Sequence, residues 1–290
     1  MKPYLFLLLC CISLRLFGQN VPDSIRIEDF TTENVKFNSA GVTLEGSIFI
    51  PNHTVAALVL VHGSGQETRM NGLASVLAEN GIAVLTYDKR GVGKSGGIYA
   101  GPEVGTNNVD ISNLDLLALD ASAATNELLT HLTTKEIPLG LMGFSQAAWV
   151  VPLAAEKNRK VKFITLLSAP VVTTLEQLRF QFYTNGNTKF WETHSEADAR
   201  EHISNDPDKY QFAPTDPRKA LSLLSIPGLW IYGGKDIQAP VGLSIERLDA
   251  LKATGKPYQH KLFPDLGHSS KSKEPINFAI QWIKSITNSK

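Results

Sequence analysis

The sequence predicts an α/β fold: a mostly parallel sheet, covered by helices on both faces, with a small helical cap insertion. Three observations carry the prediction. Strand-length apolar runs alternate with helical-period segments along nearly the whole chain. Some runs, such as Ala57 to His62, are almost continuously apolar, as a strand buried on both faces must be. The alternation fails only once, from Ala169 to Ile226, where helical signals follow one another with no strand between them.

Taken in order, Val35 to Asn38 and Val42 to Ile50 flank Ser39-Ala40-Gly41 and read as a hairpin. Ala57 to His62 is the first buried strand, followed by a helix from Asn71 to Glu79 that Gly81 stops, and by a strand from Ile82 to Tyr87. A long helix is predicted from Asn113 to Leu132, because Leu114, Leu117, Ala121, Ala124 and Leu128 recur at helical spacing. Strand Ile137 to Gly143, helix Gln146 to Ala155 and strand Phe163 to Leu167 come next. The later alternation is strand Leu229 to Tyr232, a helix around Ile245 to Leu251, strand Tyr258 to Phe263 and helix Ile276 to Ile286. Within the exception, Leu175 to Tyr183 forms one apolar helical face that ends near Gly186. A second helix starts at Ser195 and stops at Asn205-Asp206-Pro207, and a third opens with Asp216 as cap and Pro217 in the first turn. The cap is accordingly placed at about residues 170–226 of a domain spanning 21–290.

Bulk properties exclude some functions. Lys plus Arg and Asp plus Glu number 28 each, and no basic stretch stands out, so there is no electrostatic footprint for nucleic acid. A lysine, an apolar run from Tyr4 to Ile12 and the stretch Ser13 to Gln19 have the shape of a signal peptide over residues 1–18, too short for a spanning helix. Cleavage near Gly18 fits this shape, although Leu16 is a poor residue upstream of the cut and leaves an uncleaved anchor as the alternative. Both cysteines, Cys10 and Cys11, lie in this leader, so a mature chain has neither a disulfide framework nor a thiolate metal site. Leu9 before Cys10 argues against a lipid anchor, which calls for a small residue there. The expected location is exported, periplasmic or secreted, with no membrane attachment after cleavage.

The residues able to do chemistry fall at strand ends. Gly143-Phe144-Ser145-Gln146-Ala147 stands where a strand gives way to a helix, and so sharp a turn needs small residues two positions either side of the serine. Gly233-Gly234-Lys235-Asp236 follows another strand, and Leu266-Gly267-His268 follows the last one. The chain order Ser…Asp…His is that of the α/β-hydrolase fold, whereas the two other serine-protease scaffolds run His…Asp…Ser and Asp…His…Ser. Ser145 is the candidate nucleophile, His268 the base and Asp236 the acid that orients it. Asp265 competes, but it precedes His268 on the same loop and is poorly placed to reach the ring. Attack on an ester creates an oxyanion that needs preformed N–H donors. The glycine-rich His62-Gly63-Ser64-Gly65-Gln66 offers Ser64 N–H, and the start of the helix after the nucleophile offers Gln146 N–H. His62 itself reads as a residue that holds this loop.

Two nucleotide motifs are decoys. Gly91, Gly93 and Gly96 match G-x-G-x-x-G after a strand, but Gly97, Gly101 and Pro102 follow where a helix should open. Gly93-Lys94-Ser95 ends like a P-loop, yet the required upstream glycine is Asp88. The segment reads better as a tight charged turn in which Asp88 or Arg90 pairs locally to brace the loop beside the site. His194 and His202 read as solvated side chains.

On these residues the chain resembles the α/β-hydrolase superfamily, and within it the exported bacterial serine esterases. The motifs concerned are His62-Gly63-Ser64-Gly65, the run from Tyr87 to Gly97, Gly143-Phe144-Ser145-Gln146 and Gly233-Gly234-Lys235-Asp236. The resemblance covers residues 35 to 288, least well in the cap. It implies a Ser145–His268–Asp236 triad, hydrolysis of a small-molecule carboxylic ester through an acyl-enzyme, and no metal or organic cofactor. Relatives commonly carry Gly-Gly after the glutamine, whereas Ala147-Ala148 stands here and adds a methyl to a crowded turn. Two alternatives stay open: an aminopeptidase or amidase, for which Glu176, Glu192 or Glu196 would receive the substrate amine, and a catalytically silent binding protein. Phe180, Phe182, Tyr183, Phe190 and Trp191 are expected to wall a modest acyl pocket that favours short chains, the competing expectation being that these rings only pack the cap on the body.

Overall fold

Eight strands form one sheet: β1 (Phe30–Ser39), β2 (Val42–Pro51), β3 (Ala56–Val61), β4 (Ile82–Tyr87), β5 (Leu139–Phe144), β6 (Val161–Leu167), β7 (Gly228–Gly233) and β8 (Tyr258–Phe263). Their order across the sheet is β1-β2-β4-β3-β5-β6-β7-β8. The computed structural model describes residues 29–101, 105–133, 136–206, 213–268 and 272–287, so the leader expected at residues 1–18, with Cys10 and Cys11, lies outside the described residues. The β1–β2 and β2–β4 pairs are antiparallel and the others parallel. The hairpin closes through Ala40 and Gly41, both at positive φ (43° and 80°), the two-residue turn whose twist suits paired strands.

Strands β3, β4, β5 and β7 are buried at every position, and their side chains alternate between two cores. The described helices are α1 (Asn71–Ala78), α2 (Thr106–Val109), α3 (Ile111–His131), α4 (Ala147–Lys157), α5 (Thr174–Thr184), α6 (Phe190–Thr193), α7 (Glu196–Asn205), α8 (Pro217–Leu223), α9 (Val241–Ala253) and α10 (Lys273–Thr287). Val59 and Val61 pack with Leu114, Ala121, Val151 and Leu248 of α3, α4 and α9. Leu58 and Leu60 pack with Leu77 of α1 and with Ile276, Ile280 and Ile283 of α10. The predicted α/β architecture with helices on both faces is the observed one.

Differences from the expected elements have local causes. β1 begins five residues before Val35, because Thr31 to Asn34 are exposed on an edge strand and show no apolar alternation. α3 begins at Ile111, where the Asp110 side chain accepts the Ser112 N–H at 2.8 Å as an N-cap. α9 runs from Val241 with only Val241, Ser244 and Leu248 buried, too sparse a stripe to mark its full length.

Between β6 and β7 lie α5 to α8. Both α5 and α7 open with capping boxes, Thr173 with Glu176 and Ser195 with Asp198. Phe180, Ala199 and Ile203 make a small separate core, with Trp191 and Leu243 against it. α8 belongs to the body instead: Leu221 joins the core under α4, and the Tyr258 hydroxyl donates to the Leu221 carbonyl at 2.7 Å. His194 and His202 are not simply solvated. The His194 ring stacks on Phe190 at 4.3 Å and the His202 ring on Tyr183 at 4.0 Å.

Candidate active site

Ser145 occupies the turn between β5 and α4 with φ +51°, a left-handed backbone that a residue with a Cβ adopts only when its surroundings impose it. Its N–H donates to the Leu167 carbonyl of β6 at 3.1 Å, and its carbonyl accepts the Ala148 N–H at 2.9 Å. A Cβ on Gly143 would collide with the Ala147 methyl. The alanine thus uses the space the turn has to spare, and position 143 has to be glycine.

Asp236 lies in the loop after β7 and is buried. Its Oδ1 accepts the N–H groups of Gln238 (2.7 Å) and Ala239 (2.9 Å). Its Oδ2 lies 2.8 Å from His268 Nδ1. Gly233 is what lets the two loops meet, since a Cβ there would strike the carbonyls of Leu266 and Gly267. The Ser168 hydroxyl, at the end of β6, donates to the His268 carbonyl at 2.6 Å and steadies the histidine from the backbone side. A carboxylate only accepts, so Nδ1 carries the proton and Nε2 presents a lone pair. That lone pair faces Ser145 Oγ at 3.0 Å. In this geometry the ring can take the hydroxyl proton while the carboxylate holds the resulting charge. Asp265, the rival acid, is exposed and pairs with Lys235 at 2.9 Å, away from the ring.

The loop after β3 abuts the nucleophile, because a Cβ on Gly63 would lie 3.6 Å from Ser145 Cβ. Ser64 and Gln146 border the same cavity as Ser145, together with Gly105, Val109, Trp149 and Pro170, and with Gln177, Leu178 and Gln181 of α5. That cavity holds about 20 Å³, room for roughly one water. His62 is buried with its ring edge-on to Tyr87 at 4.8 Å.

The aromatic cluster is placed differently from the expectation that it walls the pocket. Phe180 and Phe190 are buried in the insertion's own core, Phe182 is half exposed, and none of the five rings borders the cavity. The indole of Trp191 donates its N–H to the Asp236 carbonyl at 2.8 Å, so it holds the acid's loop. The charged turn after β4 is braced, but by partners distant in sequence. Asp88 takes a two-pronged contact from Arg69 and also accepts the Lys94 N–H at 3.0 Å, while Arg90 pairs with the buried Asp120 of α3. Burial alone would raise the Asp88 carboxyl, yet these donors hold it down at about 2. Residues 97–101 form no helix, so the dinucleotide match lacks its required context. Among the described residues no group of three or more His, Cys, Asp or Glu is arranged as metal ligands, and no helix is long and apolar enough to cross a membrane. Tyr99, Asn108 and Ser168 also hold the site and no local pattern in the sequence marks them, while Lys89 and Trp191 fall in stretches that the sequence singles out for other roles.

A line of Ser, His and Asp at the carboxyl ends of parallel strands, beneath helices inserted after β6, defines the α/β-hydrolase class. The chain belongs to the family described as serine aminopeptidase, S33, whose model matches residues 52–218. A Pyrococcus furiosus esterase has a similar fold, with TM-score 0.61 and 18% identity over 89% of this chain and 90% of that one. So does a Pyrococcus horikoshii acylaminoacyl peptidase, with TM-score 0.61 and 16% identity over 89% of this chain and 41% of that one. A lipase in its open form gives TM-score 0.63 and 14% identity over 89% and 100% of the two chains. A curated Mycobacterium tuberculosis relative that carries the name phosphoribosyl transferase is 28% identical over 130 residues, which is 44% of this chain and 27% of that protein. The chain therefore matches about a quarter of that relative's length.

Proposed function

We propose that this hydrolase cleaves small carboxylic esters, favours short acyl chains, and works outside the cytoplasm after loss of residues 1–18. Ser145 attacks the carbonyl, His268 takes its proton and returns it to the leaving alcohol, and Asp236 fixes the ring's tautomer. The oxyanion is received by the N–H groups of Ser64 and Gln146, and water then releases the acyl group from Ser145. The observation that carries the reading is the continuous line from Ser145 Oγ through His268 to Asp236 at 3.0 and 2.8 Å. The scheme calls on no metal or organic cofactor.

The cavity lining supports esters over aminoacyl substrates. An aminopeptidase needs a carboxylate to meet the substrate ammonium. Glu176 is instead engaged by Arg247 at 2.7 and 2.5 Å, Glu196 by Arg200 at 3.2 Å, and Glu192 does not border the cavity. The lining mixes Val109, Trp149, Pro170 and Leu178 with the uncharged polar Ser64, Gln146, Gln177 and Gln181 and holds no charged side chain, which suits a neutral acyl group. The family's description, serine aminopeptidase, keeps the peptidase reading as the one to beat.

A series of p-nitrophenyl esters from two to sixteen carbons, run beside aminoacyl anilides and with Ser145→Ala as blank, tests both. The ester reading expects kcat/KM to peak at the short end. A peak at the long end removes the short-acyl preference, and turnover of anilides alone establishes the peptidase. Export is checked by mass spectrometry of the native protein, which should find a mature start within a few residues of Gln19.

A further inference from the structure

Lys89 follows β4 by two residues, and its side chain is buried against the candidate site. Its ammonium donates to the Gly63 carbonyl at 2.6 Å, to the Gly65 carbonyl at 3.4 Å and to Gln146 Oε1 at 3.0 Å. Its charge also lies 5.4 Å from the centre of the Tyr99 ring. Removing an ammonium from water is costly, and a fold keeps one buried only where its contacts compensate. Here those contacts join the two loops that carry the Ser64 and Gln146 backbone N–H groups.

We infer that Lys89 is the positioning residue of the oxyanion site, a buried cation that aims the Ser64 N–H at the carbonyl oxygen of a substrate bound to Ser145 and ties that loop to the side chain of Gln146, whose own N–H is the second donor. The inference rests on the proposed reading of Ser64 and Gln146 as those donors. A trans peptide is planar, with its C=O and N–H pointing in opposite directions. A Gly63 carbonyl pinned to Lys89 therefore turns the Ser64 N–H the other way, and the loop cannot flip that peptide without giving up a charge-assisted bond.

The rest of the loop is held in the same manner. The Ser64 carbonyl accepts from the Tyr99 hydroxyl at 2.6 Å and from Asn108 Nδ2 at 3.0 Å. Asn108 Nδ2 also reaches the Tyr99 oxygen at 3.2 Å. Gln146 closes the ring, because its Nε2 donates to the Asn108 carbonyl at 2.7 Å while its Oε1 accepts from Lys89. A single network thus runs from Lys89 through Gln146, Asn108 and Tyr99 back to the loop of Gly63 to Gly65. The positive charge sits behind the Gly63–Ser64 peptide, where low dielectric strengthens its polarisation of the N–H toward developing negative charge.

The test compares Lys89→Met, close in length but neutral, with wild type on p-nitrophenyl butyrate and on an alkyl trifluoromethyl ketone. The ketone's serine adduct carries a real oxyanion. Loss of one oxyanion donor costs about 10²–10³ in kcat in comparable enzymes. Lys89→Met is therefore expected to lose about 10² in kcat with KM nearly unchanged, and to bind the ketone weaker by a similar factor. A rise in KM at constant kcat, or undiminished affinity for the ketone, overturns the inference. If thermal unfolding shows Lys89→Met to be unfolded, Gln146→Met takes its place. It keeps the backbone N–H, removes the amide that Lys89 holds, and should show a smaller loss with the same split. Equal kcat and equal ketone affinity in a folded Gln146→Met overturn the inference as well. Ser145→Ala separates the two failures: turnover without Ser145, or no ketone binding by wild type, refutes the reading of the site itself and the role of Lys89 with it.

Discussion

The sheet and the helices inserted above it hold the candidate site by different forces. In the sheet, β3, β4, β5 and β7 are buried at every position, and each fully buried Val, Leu or Ile contributes about 1.5–3 kcal/mol. The insertion has a small core of its own, Phe180, Ala199 and Ile203 with Phe190 packed on Phe180, and polar bonds add to it. Three of these bonds land on consecutive carbonyls beside the acid: Trp191 Nε1 on Asp236 at 2.8 Å, Thr184 Oγ1 on Ile237 at 2.7 Å, and Gln177 Nε2 on Gln238. Two ion pairs, Glu176–Arg247 and Arg200–Glu246, tie it to α9. Burial is strong and without direction, whereas a hydrogen bond contributes only about 0.5–1.5 kcal/mol but fixes geometry. The sheet thus provides stability and the insertion provides aim. The loop of Asp236 depends on both.

The largest effect belongs to the sheet's own serine: Ser145→Ala should lose about 10⁶ in kcat, as in other serine hydrolases, with an unchanged melting temperature. More than a tenth of wild-type rate in that folded variant would show that the reaction does not use it. Asp236→Asn comes next, with a loss of about 10⁴ near neutral pH because the ring is held in the wrong tautomer. Asp265→Asn should stay near wild type, and the reverse pattern would move the acid to Asp265.

The third pair separates stability from aim. Leu60→Ala, in the sheet, should cost about 2–5 kcal/mol in denaturant unfolding while each folded molecule keeps its rate. Trp191→Phe, in the insertion, should cost only about 1 kcal/mol, yet lower kcat several-fold because the Asp236 loop loses a donor. If both variants altered stability and rate in the same proportion, the distinction between the two regions would collapse.

The smallest effect depends on pH. Burial alone would raise the Glu176 carboxyl, but Arg247 and Thr173 hold it at about 2, below its ordinary 4.5. A depressed carboxylate stabilises the fold fully above about pH 4.5, and the contribution is lost as pH falls through about 2. Pepsin digestion across that window should cut first in α5 to α7 while β3 to β5 stay intact. Glu176→Gln should make the same cuts independent of pH over the window, and unchanged pH dependence in that variant would exclude Glu176 as the cause.

What could be read in advance follows the same division. Buried strands announce themselves as unbroken apolar runs; Ser145 and Asp236 could be found because each follows such a run, and His268 because it completes the diagnostic order after β8, a strand exposed at its four inner positions. The hydrogen bonds from the Lys89 ammonium to Gly63, Gly65 and Gln146 span 24 to 57 residues of chain, so no short window of sequence contains both partners. Trp191 was legible as ring area and therefore expected in a pocket wall, whereas its structural use is the direction of one N–H. The exposed half of β1 and the sparsely buried α9 left no periodic trace for the same reason: periodicity records burial, and those segments have little.

The cavity beside Ser145, with space for about one water, has a kinetic consequence. Even an acetyl group is larger than that, so docking an ester calls for more room than Gln177, Leu178 and Gln181 of α5 leave opposite Trp149 and Pro170. An α5 that moves aside to give that room predicts an apparent affinity diluted by whatever fraction of molecules stands closed. Encounter then becomes a matter of friction: kcat/KM for a good substrate should fall as solvent viscosity rises, and changes that loosen the insertion should raise it while making the aim of Asp236 worse.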